Sequence, residues 1–327
     1  MTEEKGLVYP DGEEATWDEV DRRVKMREFA KAADVEVDID AQAPCRDLET
    51  WHEIMKRRKR ERKEILGVPE DVRVDIKTKK PILIGLFGDI HAGGADVDYD
   101  RLAKDIDLLK SVDGFAITVG DLTDSFFFNS GQHEALANNQ EQVLYMQAVL
   151  DELSKDDRLL AGWKGDHDGW AEDKMGTRTT YHEFGRRYHG HYLEGVSYLT
   201  VGLNDDIEYK LTGAHRHKGF SVYNDAHASL RMEKDEGRGS DVAFTAHNHV
   251  KAYLQQTVKN YGGNENRVHL LALGAYKKTD GYSRKHGWPR KDDSSLGAFG
   301  LILRPDKKDV QVCWTLEDGV ERLQQIT

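Results

Sequence analysis

The sequence predicts an α/β fold, and three observations carry that prediction. In the first half, three apolar runs of strand length each end in a short cluster of aspartate and histidine and are followed by a helical pattern. Runs that are apolar at nearly every position suit strands covered on both faces. The second half is dense in further strand signals, and the Asp/His clusters fall where strands should stop, which is where α/β architectures collect their sites.

The elements follow in order. Residues 1–77 are predicted to form a charged, helical N-terminal extension, ahead of a main domain over 78–327. Trp17 to Ala32 reads as one helix and Asp47 to Leu66 as a second, with a break at Ala41 to Pro44. The second helix carries Lys56, Arg57, Arg58, Lys59, Arg60, Arg62 and Lys63, interspersed with Glu53, Glu61 and Glu64. That mixture suits either a nucleic-acid contact or a solvated face laced with ion pairs. Gly67-Val68-Pro69 stops it, because proline restricts its predecessor and lacks an amide donor.

Pro81 to Gly88 is the first buried strand and ends in Asp89-Ile90-His91; Tyr99 to Leu109 is the helix after it. Gly114 to Gly120 is the second strand, ending in Asp121, and Ala135 to Leu153 is a long helix whose apolar stripe includes Leu136, Val143, Leu144, Met146, Val149 and Leu150. Leu159 to Trp163 leads to Gly165-Asp166-His167-Asp168. Later strands are expected at Ser197 to Val201, Ile207 to Thr212, Val242 to Thr245, Ala252 to Val258, Val268 to Leu273, Ala298 to Leu303 and Val310 to Thr315, with a hairpin turn over 305–309.

Composition narrows the function. The 327 residues include 59 Asp and Glu against 47 Lys and Arg, a net charge of −12, so the surface as a whole is not a general nucleic-acid binder. The two cysteines, Cys45 and Cys313, form no C-x-x-C pair, which argues against a thiolate zinc site and suits a reducing compartment. No run approaches the roughly 18 to 20 apolar residues needed to cross a bilayer, so a soluble, cytoplasmic protein without membrane contact is expected.

The chemistry lies in the clusters. Several carboxylates and imidazoles brought to one edge would repel and desolvate one another unless cations neutralised them. In Asp89-Ile90-His91 the alternate spacing puts two side chains on one side of an extended segment, where both reach one ion. Asp121 follows a glycine that permits a tight exit, and its two oxygens make it the candidate bridge between two ions. His247 and His249 share the same alternation and serve one ion or two neighbouring ones. Mixed oxygen and nitrogen donors suit two divalent ions, manganese favoured, with iron, zinc, nickel, cobalt or magnesium as alternatives.

Taken in order, Asp89-Ile90-His91, Gly120-Asp121-Leu122-Thr123-Asp124, Gly165-Asp166-His167-Asp168, His215 and Ala246-His247-Asn248-His249 resemble the signature of the calcineurin-like metallophosphoesterase superfamily, over roughly Pro81 to Thr315. The resemblance implies a four-layer α/β/β/α sandwich with two mixed sheets. It implies a first metal held by Asp89, His91, Asp121 and His249, a second held by Asp121, Asp166, His215 and His247, and His167 beside the phosphate, with Asp168 or Asp124 orienting it or a neighbouring ligand. His217 and His227 compete with His215, which follows its strand most closely. Position 166 is Asp where the family has Asn, which implies tighter metal binding and weaker phosphate affinity; position 246 is Ala where the family has Gly. The stretch from His215 to Asn224 is also similar to one in metallophosphoesterases of bacteriophages and prophages, which implies a phage-encoded enzyme acting in the host cytoplasm.

Two ions about 3.5 to 4 Å apart clamp a phosphate and activate a bridging hydroxide for in-line attack, with His167 stabilising the phosphoryl oxygens or protonating the leaving alkoxide. The expected activity is phosphodiester hydrolysis on nucleic acid, DNA favoured; the alternatives are a phosphomonoesterase or protein phosphatase, and a metal-stabilised scaffold without activity. Arg216, Lys218, Tyr276, Lys277 and Tyr282 are candidate substrate contacts. The aromatic stretches Phe126 to Gly131 and Leu273 to Arg284 read as loops over the site, able to stack a base or simply to pack.

Overall fold

The computed structural model describes residues 7–8, 14–15, 48–49, 51–57, 68–125, 135–175, 187–204, 206–219, 221, 223–263, 265–278 and 293–326. The chain divides into two compact units, Met1–Gly67 and Val68–Thr327. In the first, Leu7–Val8 pairs antiparallel with Glu14–Ala15, and residues 48–49 and 51–57 are helical. Lys56 Nζ meets Glu53 Oε1 at 2.7 Å with both side chains exposed, an ion pair on a solvated face. The helix expected at 17–32 and the basic residues from Arg58 to Lys63 lie outside the described residues.

In chain order the larger unit runs Asp71–Ile76 (β1), Ile82–Gly88 (β2), Tyr99–Ser111 (α1), Phe115–Val119 (β3), Asn139–Leu153 (α2), Leu159–Trp163 (β4), Asp166–Met175 (α3), His191–Leu193 (β5), Ser197–Leu203 (β6), Ile207–Ala214 (β7), His227–Glu236 (α4), Val242–Thr245 (β8), Ala252–Lys259 (β9), Glu265–Ala272 (β10), Phe299–Leu303 (β11), Val310–Cys313 (β12) and Leu316–Ile326 (α5). One sheet has the order β12-β11-β2-β3-β4-β5 and the other β9-β10-β8-β7-β6-β1. Both are mixed: β2 to β5 run parallel, β11 lies antiparallel to β2 and β12 antiparallel to β11, and β7, β8 and β10 run parallel between antiparallel neighbours. β1, assigned to the extension on sequence, pairs in parallel with β6, so the larger unit begins before residue 71.

Side-chain alternation explains the layers. Ile82, Ile84 and Leu86 of β2 enter a core shared with Leu199, Val201, Tyr209, Leu211, Phe244 and Phe299, which lies between the sheets. Leu83 and Phe87 of the same strand pack with Leu102, Met146, Val149 and Leu316 of α1, α2 and α5. Met232 of α4 meets Ala243, Val268 and Leu270 on the far side of the second sheet. The result is the helix, sheet, sheet, helix order expected. Glycine has no side chain to block close approach, and Gly85 in β2 uses this: a Cβ there would come within 2.8 Å of the Phe87 ring.

The long helix starts later than the sequence predicts. Asn138 caps it in a reciprocal pair with Glu141, so α2 begins at Asn139 and Leu136 lies ahead of it, exposed. Leu144 is also exposed; the buried stripe is Gln142, Met146, Val149, Leu150 and Leu153. Among the described residues no helix is long and apolar enough to cross a membrane.

Candidate metal centre

The C-terminal ends of β2, β3, β7 and β8, together with the start of α3, carry the clusters to one place. Asp89, His91, Asp121, His247 and His249 all take left-handed backbone conformations, with φ of 46°, 50°, 47°, 73° and 54°. Each such residue costs on the order of 1 kcal/mol, and surrounding hydrogen bonds hold the turns. The His91 and Ala92 amides donate to the Asp121 and Leu122 carbonyls at 2.8 and 3.0 Å, the Asp124 amide donates to the Ala92 carbonyl at 3.0 Å, and the His247 amide donates to Asp89 Oδ2 at 2.9 Å. Gly165 is obligatory here, since a Cβ would fall 1.9 Å from the Asp121 amide nitrogen. Ala246 has no positive φ; the left-handed turns fall on His247 and His249, so position 246 does not require glycine.

Among the described residues three groups of donors form, Asp89 with His91 and His249, Asp121 with His215 and His247, and His91 with Asp124 and His167; within each group the ligand atoms lie within 4.8 Å of one another. His91 Nε2 stands 2.9 Å from His249 Nε2 and 3.8 Å from Asp121 Oδ2, and His249 Nε2 is 3.6 Å from Asp89 Oδ1. His215 Nε2 is 3.2 Å from Asp121 Oδ2. Asp121 thus faces the first two groups. Asp166 stands at the outer side, its Oδ2 3.5 Å from His247 Nδ1.

The imidazole tautomers are set from behind. His215 Nδ1 donates to the Val119 carbonyl at 3.0 Å, and His91 Nδ1 faces Asp124 Oδ1 at 3.0 Å. Both rings therefore present Nε2 to the cluster, as metal-binding histidines do. His215 Nε2 is buried against Asp121 Oδ2. Burial pushes His91 down to about 4, against the pull of Asp124. Burial would also lower His215, but the Asp121 charge outweighs it and lifts the ring to about 10, while His215 in turn holds Asp121 well below the usual carboxylate range despite its burial. Carboxylates and buried imidazoles that turn Nε2 towards one another form a donor set that fits divalent cations.

His167 sits beside this cluster. Its amide donates to Asp121 Oδ1 at 2.8 Å, and its Nδ1 donates to the Asp124 carbonyl at 2.5 Å. Its ring meets His91 edge-on, centroids 4.7 Å apart, and lies against the Trp170 indole at 4.4 Å and 33°. Trp170 was not anticipated, although it stands three residues after His167 at a helix start, the spacing of one helical face.

The remaining predicted residues divide. Asp168 gives both carboxylate oxygens to backbone, Oδ1 to the Leu122 amide at 3.1 Å and Oδ2 to the Gly165 amide at 2.9 Å, so it ties the turns together. Burial and the nearby Asp121 charge push it up to about 6. The Asp124 carboxylate holds His91 and Lys277, whose Nζ is 2.7 Å away and buried; Lys277 is therefore a support for the cluster and not an outward substrate contact. Tyr276, expected at the substrate, is instead 0 % exposed, and its hydroxyl donates to the buried Asp105 at 2.6 Å. Lys218 pairs with Asp235 at 3.5 Å. Arg216 reaches Asp166 Oδ2 at 3.2 Å. His217 meets Glu236 and the Lys218 carbonyl, and His227 the Gly219 carbonyl, so neither joins the donor groups. Tyr282, the stretch from Phe126 to Gly131 and the end of the loop to Arg284 lie outside the described residues.

No family model matches the chain, and no curated protein matches it. Among solved structures, it is similar to the phosphoesterase YfcE from E. coli at 14% identity and a TM-score of 0.34, covering 70% of this chain and 96% of that one. It is similar to a metallophosphoesterase from Sphaerobacter thermophilus at 14% and 0.36, covering 75% and 100%, and to the calcineurin-like phosphoesterase YfkN from Bacillus subtilis at 12% and 0.35, covering 76% and 98%. At such identities and scores these likenesses decide nothing about chemistry, which stands on the chain's own side chains.

Proposed function

We propose that the chain is a metal-dependent phosphoester hydrolase that uses two divalent ions, manganese favoured, and cleaves phosphodiesters in nucleic acid, DNA first. The observation that carries the reading is the convergence of six oxygen and nitrogen donors from four separate segments at strand ends, with Asp166 at their outer side and His167 against them. One ion would be held by Asp89, His91, His249 and Asp121, the other by Asp121, His215, His247 and Asp166. Bound there, divalent ions supply neutralisation of phosphoryl oxygens and a water acidic enough to ionise near neutral pH.

The chain's own residues do the rest. With Nδ1–H committed to the Asp124 carbonyl, His167 gains and loses its proton at Nε2, which suits it to protonate a departing alkoxide. Asp124, Lys277 and the Val119 carbonyl fix His91 and His215 in the orientation that offers Nε2. Trp170, 43% exposed beside His167, offers an aromatic surface on which a base can stack, and this favours a nucleic-acid diester over a small monoester.

The test is hydrolysis by manganese-loaded protein of bis-p-nitrophenyl phosphate, p-nitrophenyl phosphate and labelled single- and double-stranded DNA. Cleavage of DNA and of the diester is expected. Selective cleavage of the monoester would make the protein a phosphomonoesterase, and inactivity on all four with two metals bound would make it a scaffold.

A further inference from the structure

Asp166 and Arg216 form an ion pair at the mouth of the candidate metal centre, 3.2 Å from Oδ2 to the guanidinium. Exposed pairs of this kind contribute little to stability, so their use has to be sought in where they stand. Arg216 directly follows His215, whose ring is buried and pinned to the Val119 carbonyl, and the chain turns its next side chain outward: Arg216 is 64% exposed. Asp166 opens α3, where the helix N-terminus favours a carboxylate, and the same Oδ2 that holds Arg216 lies 3.5 Å from His247 Nδ1. Asp166 Oδ1 has no partner among the described residues, so one oxygen can serve a cation while the other holds the arginine.

Among the described residues, Lys277 pairs with the cluster at Asp124 and is buried, whereas Arg216 pairs with Asp166 and faces outward. A guanidinium has five donors in a rigid fork suited to phosphate oxygens. Those of Arg216 not used on Asp166 have no partner among the described residues. At the outer side of the site a phosphate would otherwise meet the charge of Asp166.

We propose that Arg216, oriented by Asp166, is an anion clamp for the phosphoryl group of the substrate, and that the two act as one charge-compensated unit. The proposal rests on the phosphoester hydrolase reading above. It reverses one expectation from sequence: a carboxylate at 166 does not cost phosphate affinity, because it brings its own cation.

The test uses full-length, manganese-loaded protein, calorimetric titration with inorganic phosphate, and manganese content by elemental analysis. Arg216→Ala is expected to keep its manganese and to bind phosphate about ten-fold or more weakly, the size of a lost charge-assisted hydrogen bond together with an uncompensated carboxylate. Adding Asp166→Asn to Arg216→Ala should recover part of that loss, because the repelling charge leaves too; Arg216→Lys should fall between Arg216→Ala and the unaltered protein. Phosphate affinity of Arg216→Ala within two-fold of the unaltered protein, or a double variant no better than Arg216→Ala, overturns the clamp while leaving the hydrolase reading intact. A loss of manganese from Arg216→Ala that matches its loss of phosphate binding overturns it as well. Unaltered protein that takes up no manganese overturns the hydrolase reading and the clamp together.

Discussion

His167 is held on four sides: its amide on Asp121, its Nδ1 on the Asp124 carbonyl, its ring between the His91 edge and the Trp170 indole. His167 also lies within donor reach of His91 and Asp124, but with Nδ1 on the Asp124 carbonyl and outside the two groups that face Asp121, its removal tests whether it serves chemistry or metal binding. His167→Asn is expected to lower turnover by about 10² to 10⁴, the range for a general acid, with manganese content unchanged by elemental analysis; equal losses of both would make it a ligand or a structural residue. The residue types of the cluster were legible in the sequence because aspartate and histidine recur at strand ends in alternate or adjacent positions. Their partners were not. Lys277 and Tyr276 are neighbours in a segment that reads as a surface loop, yet one is buried on Asp124 and the other on Asp105. Burial is a property of what packs against a segment, and local composition does not carry it.

At the scale of elements, the segment after β10 works as a backstop for the centre. The Tyr276 amide donates to the Asp89 carbonyl at 3.1 Å, and its hydroxyl and the Ala298 amide both donate to Asp105 Oδ2, at 2.6 and 2.9 Å. Arg101 supports the same carboxylate at 3.0 Å. Burial raises Asp105, opposed by these donors. Tyr276→Phe leaves that buried carboxylate short of one donor and is expected to lower stability by about 1 to 3 kcal/mol, read as a shift in the denaturant midpoint, while KM for a diester stays within about two-fold. A selective rise in KM with unchanged stability would return Tyr276 to the substrate. β2, β3 and β4 were readable because a central strand covered on both faces is apolar throughout. β1 was also readable in principle: Val72, Val74 and Ile76 alternate with charged residues, the pattern of a strand with one wet face. β5 has only three residues, too few for any periodicity to show. α2 lost its first turn to the cap at Asn138, a signal present in the sequence as Asn138 followed by Glu141.

At the scale of the molecule, two predictions follow from how the chain closes on itself. β1 covers the edge of β6, so a chain beginning at Val68 keeps the sheet whole, whereas one beginning at Thr78 bares that edge. The shorter chain is expected to unfold at a lower temperature and to aggregate in size-exclusion chromatography with light scattering; identical behaviour of the two would place the functional boundary at 77 after all. Metal should also bear on the whole fold, because ions that bind the assembled donors have no comparable site in the unfolded chain. Chelation is expected to lower the melting temperature and manganese to restore it in a concentration-dependent way, worth about 2.7 kcal/mol per site at a hundred times the dissociation constant. A melting temperature indifferent to both would mean that these donors hold no ion.

The amino-acid order alone determined the α/β class, the three strand-cluster-helix units and the chemistry of the donors, since buried strands and ligand side chains are written in short stretches whose periodicity and residue type need no distant partner. Only the tertiary structure decided that Asp89 and His249, 160 positions apart, face each other within 3.6 Å, that Asp121 stands between the two groups, that Tyr276 belongs to the core and that Arg216 leans on Asp166. Those contacts depend on the order of strands in the two sheets and on which face each loop turns inward, and both are set by the packing of segments far apart in the chain.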